Sequence, residues 1–386
     1  MLSAEKMIRT LVMDNEKSPV LGVICLLLIG GMLIACFWPF NFVPVNKVGW
    51  IQNGNGIRFY GQGIVFSRES LVTPAVTSRK KAPFTIELLI RPIKEPDENM
   101  PSILTLYDRD LEQIIISQWK TTLIIQSAHV QNEYREIGIE NALRKDVTHL
   151  IIMTSGEEGT DIYVDGKIEK SFPHYSLLPD DQKPAGCLIL GNSPGGNSSW
   201  NGAFFGLAIL DRSLSGKEAL DHYRAWRERG QPLFSGSEKP LALYLFDEHG
   251  GEQILDHSGS RNHLLMPAIF KPVHRIILIA PWNESWFSLA YLTDFVINIL
   301  GFMPFGFFVT AWLWRAKNLP APRVYGICIF LGFCMSLAIE IVQAYLPTRG
   351  SSVIDVVSNT LGTAAGAFLF KYAALVPRSM KQRPFS

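Results

Sequence analysis

The stretch EIVQAYLPTRGSSVIDVVSNTLGTAAG (340–366) decides the fold of the C-terminal part of this chain. It joins the end of one apolar segment to the start of the next, and polar residues stand in both. Glu340 and Gln343 are three residues apart, and Asp355 and Asn359 are four apart, which puts each pair on one face of a helix. Charged side chains in hydrocarbon are costly and usually mark a functional site.

A third pair stands in the preceding apolar segment, and an arginine lies in the loop between the last two segments. The predicted ligand-binding residues are Asp294, Asn298, Glu340, Gln343, Arg349, Asp355 and Asn359. The alternative is that the pairs only hold helices together, at about 0.6–2 kcal/mol for each hydrogen bond, and that Arg349 neutralises Glu340 or Asp355. Three carboxylates with one arginine exceed what helix association needs, so the pattern favours a site.

Four apolar segments are long enough to cross a bilayer core of about 30 Å. The first is Val20–Trp38, which carries no charged residue, and the others span about 286–314, 321–346 and 353–376. A cleaved signal peptide is the alternative for the first, but Trp38-Pro39-Phe40 lacks the small residues of a cleavage site. With 47% hydrophobic and 18% charged residues the whole chain is too polar to lie in a membrane. We therefore predict four transmembrane helices and a large soluble domain.

Basic residues beside the short loops predict the orientation, because such residues concentrate on the cytoplasmic side. They are Lys6, Arg9, Lys17, Arg315, Lys317, Arg323, Arg378, Lys381 and Arg383. The predicted organisation is a cytoplasmic N-terminus (1–18), helix 1 (19–42), an extracytoplasmic domain (43–273), helices 2–4 (286–376) and a cytoplasmic tail (377–386). This pattern indicates a multi-pass protein of a bacterial cytoplasmic membrane. The net charge of +1 gives no reason to expect nucleic-acid binding.

The soluble block has the pattern of an all-β sandwich. Apolar or alternating runs such as FTIELLIRPI (84–93), THLIIMTS (148–155) and GAFFGLAILDRSL (202–214) are separated by turn residues. Asp165-Gly166 predicts a tight hairpin, and an amphipathic helix is expected over Ser215–Arg229. Of the five cysteines only Cys187 falls in this block, which excludes a disulfide framework within it.

Ligands of the sandwich are less well indicated by the sequence. Asp247, Asp256 and Asn262 are candidate calcium ligands, with turn formation as the favoured alternative. Trp200 could stack on a sugar, although packing is the simpler role. No strand carries the closely spaced carboxylate pair of a retaining glycosidase. We predict no other cofactor.

The membrane segments resemble the VanZ-like family, which is named for a teicoplanin-resistance protein. The resemblance runs from FWPFNF (37–42) through DFVINILGFMPFG (294–306) to the 340–366 stretch, and includes Pro304, Gly306, Gly362 and Gly366 beside the predicted site. It implies a role in glycopeptide resistance or in the cell envelope, such as exopolysaccharide handling, without choosing a chemistry. The sandwich is then an insertion between helices 1 and 2.

The soluble block resembles the laminin-G and concanavalin A-like jelly-roll superfamily. The residues that carry the resemblance are FTIELLIRP (84–92), THLIIMTSGEEGTDIYVDGK (148–167), WNGAFFGLAILDRSLSGKEALDHY (200–223) and LYLFDEHGGEQILDHSGSRNHL (243–264). The last piece usually opens such domains, so we interpret its late position as a circular permutation. The resemblance implies binding of glycans or proteins, in some cases with calcium.

Three hypotheses of function follow. The first is a module that binds, or moves, an anionic lipid-linked glycan precursor such as a polyprenyl-phosphate-linked glycan at the outer leaflet, where Arg349 would hold the phosphate. The second is a lectin-like protein that docks to an extracytoplasmic glycan or envelope protein, with structural spans. The third is a membrane enzyme that uses its carboxylates, because the spans hold neither histidine nor an activated serine for zinc or serine catalysis.

Overall fold

A computed structural model describes residues 18–71, 82–96, 99–108, 111–128, 134–179, 182–234, 239–281, 289–316, 320–347 and 349–380. The chain divides into two compact units, Val43–Arg275 and Met1–Phe42 with Ile276–Ser386. The first is a β-sandwich and the second is helical. Several of the basic residues used to predict orientation lie outside the described residues, namely Lys6, Arg9, Lys17, Lys317, Lys381 and Arg383.

The described part of the sandwich unit contains sixteen strands and one helix. In chain order these are β1 (Val48–Trp50), β2 (Ile57–Tyr60), β3 (Val65–Ser67), β4 (Phe84–Pro92), β5 (Ser102–Asp108), β6 (Leu111–Trp119), β7 (Thr122–Ala128), β8 (Tyr134–Ile139), β9 (His149–Ser155), β10 (Gly159–Val164), β11 (Lys167–Pro173), β12 (Cys187–Leu190), β13 (Asn201–Leu210), β14 (Ala242–Tyr244), β15 (Gln253–Ile254) and β16 (Leu264–Leu265).

These strands form two antiparallel sheets. One has the order β1-β2-β13-β4-β9-β10-β11, with β14 also paired to β13, and the other has the order β15-β16-β3-β12-β5-β6-β7-β8. Aliphatic and aromatic side chains from the facing sides, such as Phe59, Phe84, Leu106 and Phe204, form one core. The predicted all-β sandwich is confirmed. The apolar and alternating runs found in the sequence did not include β1, β8 or the short strands after residue 241. Each of these strands is too short or too polar to show a clear period.

The hairpin at Asp165-Gly166 is confirmed between β10 and β11. Both turn residues have positive φ, 51° at Asp165 and 78° at Gly166, as a tight two-residue hairpin turn requires. The Asp165 carboxylate also reaches back to β9, where it accepts the Leu150 N–H at 3.0 Å and lies 2.8 Å from His149 Nδ1. One residue therefore shapes the turn and ties it to the neighbouring strand.

The helix of this unit, α2 (Gly216–Arg229), covers the outer face of the first sheet. This explains why β4 and β9 read as almost continuous apolar runs, since both of their faces are buried. Glu87 of β4 is fully buried beneath the helix, where Trp226 Nε1 donates to its Oε2 at 2.6 Å and His222 Nδ1 lies 2.6 Å from its Oε1. The buried carboxyl group is thus satisfied by hydrogen bonds, and it positions the helix on the sheet.

The two ends of the sandwich domain lie side by side. Val45 and Ile269 form an antiparallel bridge, and the buried Asn46 amide donates to the carbonyls of Ile64 and Pro267 at 2.9 and 2.8 Å. The late segment 241–265 adds β14 to one sheet and β15–β16 to the other. Adjacent ends are what a domain inserted into a loop requires, and they are compatible with the predicted permutation.

The helical unit contains α1 (Ser18–Phe37), α3 (Leu289–Ala316), α4 (Ala321–Gln343) and α5 (Val353–Met380). All four are long and apolar enough to cross a membrane. In chain order the sandwich lies between α1 and α3. Helix α5 continues to Met380, past the predicted start of the tail at 377, and residues 381–386 lie outside the described part.

Glycines allow α3 and α5 to approach at backbone distance. A Cβ added to Gly362 would overlap the Ile299 carbonyl, and one added to Gly366 would overlap the Met303 carbonyl. From the other side, a Cβ at Gly306 would overlap the Thr363 carbonyl. Small residues at such crossings are typical of membrane helix pairs. Gly306, Gly362 and Gly366 therefore let the backbones of α3 and α5 pack directly against each other.

Candidate functional site

A polar cavity of about 450 Å³ lies within the helical unit. All of the ligand-binding residues predicted from the sequence line it: Asp294, Asn298, Glu340, Gln343, Arg349, Asp355 and Asn359. Its volume is in the range typical of small-molecule sites. The structure thus brings the three polar pairs and the loop arginine together, while their role in binding remains a prediction.

Three helices and one loop position these side chains. Asp294 and Asn298 lie one turn apart near the start of α3, and Glu340 and Gln343 lie in the last turn of α4. Asp355 and Asn359 occupy the first two turns of α5, and Arg349 belongs to the α4–α5 loop. Asp294 and Arg349 are exposed, whereas Glu340 and Asn359 are buried. The cavity therefore has charged side chains both at its rim and in its interior.

Glu340 is the buried carboxyl group that organises the loop. It is 2% exposed, and its Oε2 accepts the Ser352 N–H at 2.9 Å. Ser352 Oγ in turn accepts the Ile354 N–H at 3.0 Å, which caps the start of α5. Ser352 also forms a parallel bridge with Ile279, and the Ile279 N–H donates to the Ser351 carbonyl at 2.8 Å. One carboxylate thus connects the end of α4, the loop and the start of α5.

Asn359 leaves a hydrogen-bond acceptor unused at the inner end of the cavity. Its Nδ2 donates to Ser336 Oγ at 3.0 Å, but its buried Oδ1 has no partner among the described residues. Buried polar atoms without partners are uncommon in folded proteins and call for an explanation. A ligand hydroxyl or N–H group in the cavity would supply the missing donor.

Arg349 is held by a backbone carbonyl rather than by a carboxylate. Its guanidinium donates to the Trp38 carbonyl at 3.3 Å, just after α1. Within the described part of the chain, no carboxylate lies within 4.0 Å of it in an ion pair. The alternative in which Arg349 neutralises Glu340 or Asp355 therefore has no geometric support, and donors of the guanidinium remain for a ligand.

The sequence interpretation missed several residues that complete this cavity. Ser351 and Ser352 line it from the loop, Ile279 lines it from the segment before α3, and Cys36 lines it from α1. Gln343 Nε2 donates to the Cys36 carbonyl at 3.0 Å. The serines stand inside the quoted stretch beside Arg349 and could have been included from their position, whereas nothing in the sequence indicates Ile279 or the Cys36 carbonyl.

The calcium candidates of the sandwich are not equivalent. Asp256 is buried, and its oxygens accept the N–H groups of Leu243, Ser258 and Asn262 and the Ser258 hydroxyl, at 2.8–3.0 Å. These bonds are those of a residue that organises a turn. The buried Asn262 amide has no partner among the described residues. Calcium binding at this set stays a prediction.

Asp247 belongs to a different group of donors. Its carboxylate, that of Glu248 and the His257 ring place ligand atoms within 4.8 Å of one another. Asp247 Oδ1 lies 3.4 Å from His257 Nε2 in this group.

Trp200 is fully buried, and its Nε1 donates to Gln118 Oε1 at 2.7 Å in the sandwich core. Stacking of Trp200 on a sugar is therefore wrong, and the packing alternative is correct.

The lone cysteine of the sandwich, Cys187, is free. Burial raises the pKa of its thiol, although hydrogen bonds with Ser67 act in the opposite direction.

Comparison with known proteins agrees with both parts of the chain. The VanZ/LLP1 family profile matches residues 241–375, and that of the concanavalin A-like lectin/glucanases superfamily matches residues 66–219. The first match begins within the sandwich unit, at β14, and runs through α3, α4 and most of α5. No curated protein sequence matches the chain significantly.

Solved structures with a similar arrangement of strands are distant. The binding domain of botulinum neurotoxin serotype G is 15% identical to this chain, with a TM-score of 0.32. The match covers 47% of this chain and 42% of that domain. The receptor binding domain of botulinum neurotoxin D is 10% identical, with a TM-score of 0.37, and the match covers 55% of this chain and 61% of that domain. A putative carbohydrate binding protein from Bacteroides ovatus ATCC 8483 is 15% identical, with a TM-score of 0.40, and the match covers 58% of this chain and 59% of that protein. The chain spans less than two thirds of each of them.

These matches and the four apolar helices lead to the same assignment. The chain is a multi-pass membrane protein that carries a VanZ/LLP1 family domain and a concanavalin A-like domain.

Proposed function

We propose that this protein binds a lipid-linked glycan precursor of the bacterial cell envelope, with the phosphate of the lipid at Arg349 and the first sugar in the polar cavity. The proposal rests on the position of Arg349. This residue lies at the rim of the cavity and has no carboxylate partner within the described residues. A guanidinium group can hold a phosphate through two hydrogen bonds.

The rest of the cavity supports a sugar rather than a bare phosphate. Asp294, Glu340 and Asp355 would repel a second anion, but carboxylates accept hydrogen bonds from sugar hydroxyls. The unused Asn359 Oδ1 is a further acceptor. A ligand that carries one phosphate and several hydroxyl groups therefore satisfies both the arginine and the acceptors, which neither a neutral sugar nor inorganic phosphate does.

The proposal includes a topology. With the basic flanks of the helices in the cytoplasm of a bacterium, both termini are cytoplasmic, and the sandwich and the cavity are at the outer side of the cytoplasmic membrane. The sandwich, whose fold is shared with lectins, would bind the sugar polymer. Binding is the activity that we propose for the cavity.

Lipid retention by the full-length protein tests the proposal. The protein is reconstituted in nanodiscs with a synthetic polyprenyl phosphate and its sugar-linked form, and native mass spectrometry counts the bound lipids. We expect wild type to retain the sugar-linked form, Arg349→Ala to lose both, and Arg349→Lys to bind more weakly. Arg323→Ala is the matched control, because Arg323 is an exposed arginine of the same unit that does not line the cavity. Equal retention by wild type and Arg349→Ala would refute the proposal.

A further inference from the structure

A second polar cleft lies in the sandwich unit, at one end of the first sheet, and has a volume of about 700 Å³. Its walls consist of the end of β2, the start of β13 and described residues of three connections, which are the turn after β2, the stretch between β4 and β5, and the loop between β12 and β13. The described lining residues are Tyr60, Gly61, Lys94, Pro96, Asn99, Met100, Pro101, Asn197, Ser198, Ser199 and Asn201. None of them was identified from the sequence.

An aromatic ring and an amide stand side by side in this cleft. Tyr60 and Asn201 are directly opposite each other on β2 and β13, so their side chains share one face of the sheet. Tyr60 is 53% exposed, although the Arg58 guanidinium lies 4.7 Å from the centre of its ring. The Asn201 Oδ1 is buried and has no partner among the described residues. The cleft thus offers an exposed aromatic surface next to an unused acceptor.

The wall opposite is held in place by buried Asn192. Its Oδ1 accepts the N–H groups of Ser193 and Ser198 at 2.9 and 3.0 Å, and its Nδ2 donates to the Gly63 carbonyl at 3.0 Å and to Ser199 Oγ at 2.9 Å. Ser198 Oγ donates to the Met100 carbonyl at 3.0 Å, which joins two of the three connections. Preorganised walls reduce the entropy lost on binding, as a ligand site requires.

The chemistry of the lining suits a carbohydrate. Asn99, Asn197 and Asn201 carry amides that can each donate and accept, which matches the hydroxyl groups of a sugar. Lys94 is the charged residue among the described lining residues. The C–H face of a sugar ring packs on an aromatic ring such as Tyr60.

We propose that this cleft is the glycan-binding site of the sandwich and that it takes an oligosaccharide, with one sugar on Tyr60 and its hydroxyl groups on Asn201 and the facing loop. This inference rests on the proposed function only in assigning glycan recognition to the sandwich. It concerns residues outside the cavity at Arg349, so the two sites can be tested separately.

The test uses the full-length protein in nanodiscs on an array of neutral hexose, N-acetylhexosamine and uronic acid oligosaccharides. We expect wild type to bind a subset, and Tyr60→Ala and Asn99→Ala each to weaken that binding by about tenfold. Tyr60→Phe keeps the ring and should stay within about twofold of wild type. Both side chains are exposed, and equal thermal unfolding of the variants would establish that they fold.

Trp119→Ala is the control for loss of an aromatic elsewhere, because Trp119 is 39% exposed and does not line the cleft. If all cleft variants still bind glycans as well as wild type does, the inference is overturned, and another surface of the protein must recognise the glycan. A wild-type protein that binds none of the oligosaccharides would also overturn it. In either case the Arg349→Ala lipid experiment reports independently on the membrane cavity.

Discussion

Asn298 on α3 donates a hydrogen bond from Nδ2 to Oδ1 of Asp355 on α5 at 2.8 Å. Both side chains line the cavity of the helical unit, and both are half-buried. The bond joins the two helices whose glycines bring their backbones together two to three turns further along. It therefore serves helix association as well as the site, and the two contributions can be separated by experiment.

Removing either partner of this bond should destabilise the helical unit modestly. Because interhelical hydrogen bonds in membranes contribute about 0.6 kcal/mol on average and up to about 1.7, we expect a coupling energy in that range between Asn298→Ala and Asp355→Ala. A double-mutant cycle on unfolding of the protein in mixed micelles measures it. Additive effects of the two substitutions would show that the hydrogen bond contributes nothing to stability.

Two glycines of α3 should respond in opposite ways to the same substitution. Gly306→Ala places a methyl group on the Thr363 carbonyl, so α3 and α5 must separate, and we expect a loss of about 1–3 kcal/mol. Gly301 has open space around its Cβ position, and Gly301→Ala should be neutral or stabilising by up to about 1 kcal/mol, because alanine favours helix more than glycine does. Thermal unfolding in detergent compares the variants. Equal effects would mean that the backbones of α3 and α5 are farther apart at Gly306 than in this structure.

The sequence carried enough information to locate the cavity but not its whole wall. Polar residues one turn apart in apolar helices, at Asp294/Asn298 and Asp355/Asn359, are costly to expose to lipid, and both pairs line the cavity. Ile279 and the Cys36 carbonyl reach the cavity through backbone contacts that leave no periodic signal. In the sandwich, continuous apolar runs and alternating runs identified the long strands. They did not indicate the second cleft, whose lining comes from two strand ends and three connections far apart in sequence.

The capping box at the start of α2 should account for measurable stability. Ser215 Oγ accepts the Glu218 N–H, and Glu218 Oε2 accepts the Ser215 N–H at 2.8 Å. Hydrogen bonds from Ser215 lower the pKa of Glu218, with Arg212 adding to the effect. We expect Ser215→Ala to lower stability by about 1 kcal/mol and to speed hydrogen exchange in the first turn of α2. Lys217→Ala, at an exposed position of the same turn, should change both by much less.

Asp165 should make the sandwich less stable in acid. Burial acts to raise the pKa of its carboxyl, but hydrogen bonds from His149 and the Leu150 N–H outweigh it and hold the pKa below its usual value. A carboxyl with a lowered pKa in the folded state stabilises that state above its unfolded pKa, which is about 3.9 for aspartate, and this stabilisation is lost as the pH falls through the folded pKa.

Substitution by asparagine isolates this contribution, because asparagine also tolerates the positive φ of 51° at this turn. At pH 7 we expect Asp165→Asn to unfold at a lower temperature than wild type. Below about pH 4 the difference should shrink, because the unfolded carboxyl takes up a proton there and the folded one does so at still lower pH. Thermal unfolding of the full-length protein between pH 3 and 8, with the exposed Asp211→Asn as control, measures it. A difference between Asp165→Asn and wild type that is constant with pH would show that the hydrogen-bond geometry of the turn, and not the charge, provides the stability.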